Sequence, residues 1–373
     1  MYLTLYKKNL NNPQNLAYNA IMQNLPTNPC AEYYKTTYHI EHPVPKTQLS
    51  YAHQTKITKI EEHLENAWKI LQDYEHTHEQ QYYTFKIPKH SGGLRTINAP
   101  LPEFKNALTQ VKEIFEQKIK CLAHDSAYAY IKQRSILDAL KKHQANKSNW
   151  YLKIDLTDFF PSCTPEHIFQ QLKTLYPFYY ISKEHDIILG KIIKTCCLNG
   201  GLPQGTPISP MLTNLVMVAY DHNIYKQLNR GTGEHYVYTR YADDLIISSK
   251  SNFNWKNIET SLATILHPFK INYKKTRYGS KAGSNWNLGL MLNKDNNITL
   301  GSEKKKTLNA MLNNFIKDYT KGILWSKEDT QYLQGHLSYL EQIEPDYYNH
   351  ITKKYQNKYK IQNYKTIIKT ILK

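Results

Sequence analysis

The chain has 373 residues, 48 Lys plus Arg against 31 Asp plus Glu, a formal charge of +17 and a mean hydropathy of -0.64. At about 100 to 200 residues per domain this length implies two or three structural units, and 40% hydrophobic residues with 31 Tyr exclude a disordered chain. No run approaches the roughly 18 to 20 apolar residues that span a bilayer and no secretory apolar core is seen, so a soluble, cytoplasmic protein with no membrane partner is expected.

Residues 1–50 hold five prolines among polar and Tyr residues, an irregular arm. Ile57, Ile60, Leu64, Ala67, Trp68 and Leu71 recur at helical spacing and predict a helix from Ser50 to about Tyr74. Gln81 to Ile87 alternates as a strand, Ser91, Gly92 and Gly93 supply a turn, and Leu94 to Asn98 returns as a hairpin partner. Helices are expected over Glu103–Leu122 and from Ser135, then a buried strand over Tyr151–Leu156 that is apolar apart from Lys153 and Asp155. His167–Tyr176, Asp186–Cys197 and Met211–Leu228 read as helices. His235–Tyr241 and Leu245–Ser249 read as a hairpin with Ala242, Asp243 and Asp244 at its tip. Three helices follow, over Ser302–Tyr319, Ser326–Ile343 and Pro345–Tyr359, in a C-terminal region that is Lys-rich as a whole, with Ser326 and Asp329 at capping-box spacing.

The charge is unevenly placed. Residues 1–81 carry 7 basic and 8 acidic side chains, which leaves 41 basic and 23 acidic, or +18, for the rest. A basic body of this size suits a polyanion, because Lys and Arg release counterions from phosphates. Only five basic residues are Arg (Arg95, Arg134, Arg230, Arg240 and Arg277), and they are expected where a planar fork is needed. The cysteines, Cys30, Cys121, Cys163, Cys196 and Cys197, lack the spacing of a zinc or redox motif and read as reduced and structural.

Three acids stand where burial would penalise them: Asp155 in an apolar strand, and Asp243 with Asp244 between two others. An Asp-Asp pair alone is commonly just a turn tip. If the strands are sheet neighbours, however, Asp155 and Asp243 converge to the separation of paired ions in two-metal phosphoryl transfer. Oxygen ligands without His or Cys favour Mg²⁺ or Mn²⁺.

With these residues in view, the sequence resembles a bacterial reverse transcriptase of the broad group that includes retron, group II intron and defence-associated enzymes. The blocks run Gly92-Gly93-Leu94-Arg95, Arg134-Ser135-Ile136, Ile154-Asp155-Leu156-Thr157-Asp158-Phe159-Phe160, Leu202-Pro203-Gln204-Gly205, Tyr241-Ala242-Asp243-Asp244, Lys274-Lys275 and Asn287-Leu288-Gly289-Leu290. Each alone is weak, but the ordered set is specific and covers residues 80–295. The resemblance implies an α+β right-hand polymerase fold with fingers and palm over 81–300, a helical thumb over 301–373 and an N-terminal arm and helix over 1–80.

It also implies an RNA-directed DNA polymerase that uses two Mg²⁺ ions, with Mn²⁺ as an alternative, and dNTPs on an RNA template. Asp155, Asp243 and Asp244 would be the catalytic metal ligands, with the Leu156 carbonyl as an extra oxygen. Lys275 would protonate pyrophosphate, with Lys274 an adjacent competitor. Arg95 would grip the triphosphate, helped by Lys86 or Lys89. Phe160 would exclude a 2′-hydroxyl, and Gln204 and Gly205 would lie beneath nucleotide and template. Tyr241 would contact primer or template near the acids, Leu288 and Gly289 would belong to the hairpin that holds the primer end, and the thumb, with 13 basic and 7 acidic residues from Gly301 onward, would clasp the RNA–DNA duplex. A dedicated noncoding RNA and a role in antiphage defence are further expectations, with an effector protein or an oligomer as open partners.

The pattern departs from the retron branch at two places. Asp138-Ala139-Leu140-Lys141-Lys142-His143 stands where retron enzymes carry Asn-Ala-x-x-His, and Asn287-Leu288-Gly289 replaces Val-Thr-Gly. With no maturase, endonuclease or RNase H segment visible, a short stand-alone enzyme of an unassigned, antiviral branch fits better. Two other readings stay open: an RNA-binding scaffold that has lost catalysis, and template-independent or protein-primed synthesis from a Tyr.

Overall fold

The computed structural model describes residues 51–88, 92–230, 235–281, 286 and 289–373. The expected arm over 1–50, Lys89, Ser91, Asn287 and Leu288 lie outside them.

Helix α1 (Tyr51–Leu71) forms where apolar residues repeat every three or four positions, and that stripe is buried through Ile57, Ile60, Leu64, Ala67 and Leu71. Most of it enters the main core, alongside Phe104, Leu108 and Val111 of α2 (Pro102–Glu113) and residues from four further α-helices. The helix grouped by sequence with the N-terminal arm is therefore packed against the body of the molecule. Strands β1 (Tyr82–Pro88) and β2 (Leu94–Pro100) form the antiparallel fingers hairpin, in which Ile87 faces Arg95. α2 is shorter than the expected helix. It passes into a π-helical turn (Ile114–Ile119) and stops at Lys120, whose φ of 59° is left-handed.

After α3 (Ile136–Ala145), β3 (Trp150–Thr157) runs through the middle of an antiparallel sheet. Helices α4 (Pro165–Leu172), α5 (Lys183–Thr195) and α6 (Ser209–Leu228) cover one face. α6 is buried on every side from Met211 to Asp221, so that part of it lies inside the core. β4 (Val237–Tyr241) and β5 (Asp244–Ser249) make the second hairpin. Beyond α7 (Trp255–Ile265), β6 (Lys270–Ile271) and β7 (Arg277–Ser280) both pair with β3, giving the order β4-β5-β3-β6.

Period-two alternation gives this palm sheet two different faces. Leu152, Ile154 and Leu156 of β3 join the main core with Leu245 and Ile247 of β5. Tyr151, Lys153 and Asp155 are left on the other face, with their cross-strand partners Ser248, Ile246 and Asp244. Tyr151 and Ile246 belong to a second core, reached through Trp286, which stacks on Tyr151 at 5.6 Å.

That second core is the thumb: α8 (Ser302–Thr320), α9 (Lys327–Ile343), α10 (Pro345–Tyr359) and α11 (Tyr364–Leu372). Ser326 caps α9 by accepting the Asp329 amide at 3.0 Å, as the spacing predicts. A short hairpin, β8 (Met291–Leu292) and β9 (Ile298–Thr299), leads in. It is fixed by Glu344, which accepts from the Leu300 amide and the Thr299 hydroxyl, both at 2.8 Å, and from Lys305 at 2.9 Å. The chain has the α+β right-hand polymerase architecture of fingers, palm and helical thumb. No described helix is long and apolar enough to cross a membrane.

Candidate active site

Register alone brings the acids together. Asp155, near the end of β3, lies directly opposite Asp244, the first residue of β5, and the Leu156 amide donates to the Asp243 carbonyl at 3.1 Å. Tyr241 also faces Asp244, so the β4–β5 turn consists of Ala242 and Asp243 alone. Ala242 adopts φ 56°, the left-handed conformation that tight hairpins demand. Asp155 and Asp244 are both buried.

Two lysines answer this charge. Lys275 reaches both oxygens of Asp155 at 3.0 and 3.1 Å, and Asn272 donates to the same carboxylate at 3.1 Å. Lys153, one strand position from each acid on the same face, binds Asp244 at 2.7 Å. Asp243 forms no such ion pair among the described residues. Burial, reinforced by Asp244 and Asp155, raises its pKa above the usual carboxylate value. Burial also raises Asp244, and Lys153 offsets this only in part.

No three His, Cys, Asp or Glu side chains among the described residues form a ready ligand set for one ion, and Asp155 and Asp244 are ion-paired with Lys275 and Lys153. The donor chemistry still fits a hard divalent cation: three carboxylates, no sulfur or imidazole, and at Asp243 a negative charge without its counter-ion.

A buried lattice of hydrogen bonds sets the turn. Arg240 is fully buried and forks onto Asp221 of α6 with three bonds of 2.8 to 3.1 Å. Its Nη1 donates to the Ala242 carbonyl and to Asn214 Oδ1, each at 3.1 Å. Tyr238 adds a 2.7 Å bond to Asp221. From α3, His143 joins the two strands, with 2.8 Å to Thr239 of β4 and 2.6 Å to Ser248 of β5. Sequence reasoning missed Asp221, Asn214, His143, Lys153 and Asn272 as supports. An acid inside the apolar run of α6 was the available signal for Asp221.

The other candidates surround this centre. Phe160 follows β3 and is half-buried, with the Leu202 amide donating to its carbonyl at 3.2 Å. The Gln204 carbonyl accepts from the Asn98 amide of β2 at 2.8 Å, and Gly205, at φ 122°, lies so close that a Cβ there would come within 2.9 Å of the Asn98 carbonyl oxygen. Arg95 is exposed on β2. Lys275 holds Asp155, whereas Lys274 is exposed and makes no such bond. Gly289, at φ 109°, sits against Lys304 of α8, while Leu288 lies outside the described residues.

Residues 87–292 match the family model for reverse transcriptase, the RNA-dependent DNA polymerases. The chain is 34% identical over 288 residues to the retron Ec73 reverse transcriptase of Escherichia coli, covering 74% of this chain and 88% of that protein. The chain belongs to the retron reverse transcriptases.

The retron Ec83 reverse transcriptase of the same organism is 31% identical over 284 residues, 74% of this chain and 86% of that one. As a retron-type reverse transcriptase the chain is an RNA-directed DNA polymerase. A solved telomerase from Candida albicans, in complex with a TWJ fragment of telomeric RNA, gives a TM-score of 0.42 at 14% identity over 78% of this chain and 62% of that one. The chain thus spans less than two thirds of that structure.

Placement among retron enzymes corrects the expectation of an unassigned branch. That expectation rested on two short local departures, whereas the identity extends over most of the chain. At the first of them Asp138 is engaged in capping: it accepts from the Ser135 amide at 3.0 Å while Ser135 accepts the Asp138 amide at 3.3 Å. His143 still docks on the β4–β5 hairpin, so the departure leaves the helix and its contact intact.

Proposed function

We propose that this reverse transcriptase copies an RNA template by two-metal nucleotidyl transfer. The observation that carries the reading is the direct pairing of Asp155 with Asp244, with Asp243 at the adjoining turn and Lys275 and Lys153 answering the charge of the paired acids. Asp155, Asp243 and Asp244, with the Leu156 carbonyl, would hold two Mg²⁺ ions, Mn²⁺ being an alternative. When bound, such ions lower the pKa of the primer 3′-hydroxyl and neutralise the departing pyrophosphate.

The chain's own groups do the rest. Lys275, beside Asp155, gives a proton to the leaving pyrophosphate. Arg95 grips the dNTP triphosphate through its planar fork, Phe160 walls off the sugar 2′ position, and Gln204 and Gly205 support the nucleotide and template from below. Tyr241 contacts primer or template beside the acids, and Leu288 and Gly289 hold the primer end. Residues 81–300 act as fingers and palm, and 301–373 grip the RNA–DNA duplex through phosphates with exposed lysines such as Lys304, Lys306, Lys353 and Lys354. We assign the template to a dedicated noncoding RNA and the biological role to antiphage defence.

Primer extension on an RNA template with Mg²⁺ and dNTPs tests the chemistry. The wild-type chain should extend, and it should stop on chelation of the metal or in the Asp243→Ala, Asp244→Ala variant. Equal extension by variant and wild type would sink the metal assignment. Sequencing of RNA and cDNA that co-purify from the native host tests the template.

A further inference from the structure

Tyr130 combines three properties that packing does not explain. Its φ of 63° is left-handed, a conformation that crowds the Cβ of any bulky L residue. Its side chain is not rewarded by burial, being 52% exposed. Yet the loop that carries it is held fast. Arg134 Nη1 donates to the carbonyls of His124 at 3.1 Å and Ala127 at 2.8 Å, and Asn214 Nδ2 donates to the Ala129 carbonyl at 2.9 Å. Asn214 is itself held by Arg240, which also holds the Ala242 carbonyl. One buried guanidinium therefore sets both the acid-bearing turn and the backbone just before Tyr130. An exposed, strained and rigidly fixed aromatic marks a functional position.

Its surroundings say which. The Tyr130 ring meets the Phe160 ring edge to face, with centroids 6.4 Å apart and planes at 74°. Phe159 packs on Phe160 in the same manner at 5.8 Å. The same loop is joined to β4 by a bridge between Ala127 and Arg240, one residue before Tyr241, so it is anchored beside the acid-bearing turn.

We propose that Tyr130 is a positioning residue for sugar selection, bracing the Phe160 ring so that the wall against a 2′-hydroxyl is the Tyr130–Phe160 pair rather than Phe160 alone. The inference rests on the reading of Phe160 as the sugar wall. A half-buried phenyl ring held on one side only, by Phe159, can swing about χ1 and admit a ribose. A second ring fixed against it on a rigid loop removes that freedom.

The test is single-nucleotide extension by the full chain, with kcat/KM measured for a dNTP and the matching rNTP. Tyr130→Ala should lower the dNTP-to-rNTP ratio about three- to tenfold, the range of an aromatic pair, with thermal stability unchanged. Tyr130→Phe, which keeps the ring, should restore the ratio. In a Phe160→Ala background, Tyr130→Ala should change nothing further. Should Tyr130→Ala melt early, Tyr130→Leu fills the space without a ring and carries the same expectation. If Phe160→Ala collapses the ratio while Tyr130→Ala leaves it intact, or if the two effects simply add, the brace is refuted and the wall survives. If neither variant moves the ratio, the wall itself is refuted and the brace with it.

Discussion

Arg240 and Asp221 form an ion pair with no solvent exposure on either side chain, and the guanidinium edge left over donates to the Ala242 carbonyl at 3.1 Å. The left-handed turn that presents Asp243 is thereby tied to the centre of α6. A buried charge keeps its place only while its partner remains. Asp221→Ala or Arg240→Ala should therefore destabilise the chain by about 3 to 5 kcal/mol. Arg240→Lys should fall short of rescue, because an ammonium cannot bind Asp221, Asn214 and Ala242 in one plane. Denaturant unfolding checks this, and a loss below about 1 kcal/mol would show that the lattice is not under such constraint.

Lys275 separates stability from chemistry. Its side chain is 57% exposed, so its ion pair with Asp155 contributes no more than about 1 kcal/mol to folding. Lys275→Ala should lower turnover about 10²- to 10⁴-fold, the range of a general acid, with a nearly unchanged melting temperature. Lys274→Ala, one residue away, should retain turnover. Equal losses in the two variants would remove Lys275 from its role.

Two glycines are fixed by backbone proximity. A Cβ on Gly201 would collide with the Pro161 carbonyl oxygen, and one on Gly205 would press on the Asn98 carbonyl from a φ of 122°. Gly201→Ala should displace the Phe160–Pro161 segment, costing about 1 to 3 kcal/mol and raising KM for dNTPs. Gly190→Ala, in open space on α5, should instead be neutral or slightly stabilising. Parallel melts and KM values decide between these outcomes.

Acid should loosen the fold through buried histidines. Burial lowers His143 from 6.5 to about 3, and His124 and His222 to about 4. Below pH 6.5 the unfolded chain binds protons that these folded imidazoles refuse, so stability is full above that pH and declines as pH falls toward 4. Midpoints of denaturant unfolding measured from pH 7.5 to 4.5 should show the decline. His143→Gln should flatten part of it, whatever its effect at neutral pH, and an unchanged slope would reassign the effect.

The sequence by itself determined the elements and the chemistry-bearing residues wherever the signal was local. The 3.6-residue stripe of α1, the Ser326 cap of α9 and the apolar run of β3 interrupted by Asp155 are patterns within one segment, and the structure forms each of them. The shortest elements went unread: β6 and β7 are two and four residues long and pair with β3 only in the folded sheet, and the nine-residue α11 is fixed by its packing in the thumb. It took the assembled fold to set Asp155 opposite Asp244, to bring Lys153 onto Asp244, and to answer Arg240 with Asp221 rather than solvent. The physical reason is range. Propensity and periodicity act over a turn or a strand, whereas strand register and the desolvation of a charge depend on segments far apart in the chain. Asp155 and Asp244 lie on β3 and β5, which helices α4 to α6 and strand β4 separate in the chain, and a slip of one residue would have turned one of them to the opposite face.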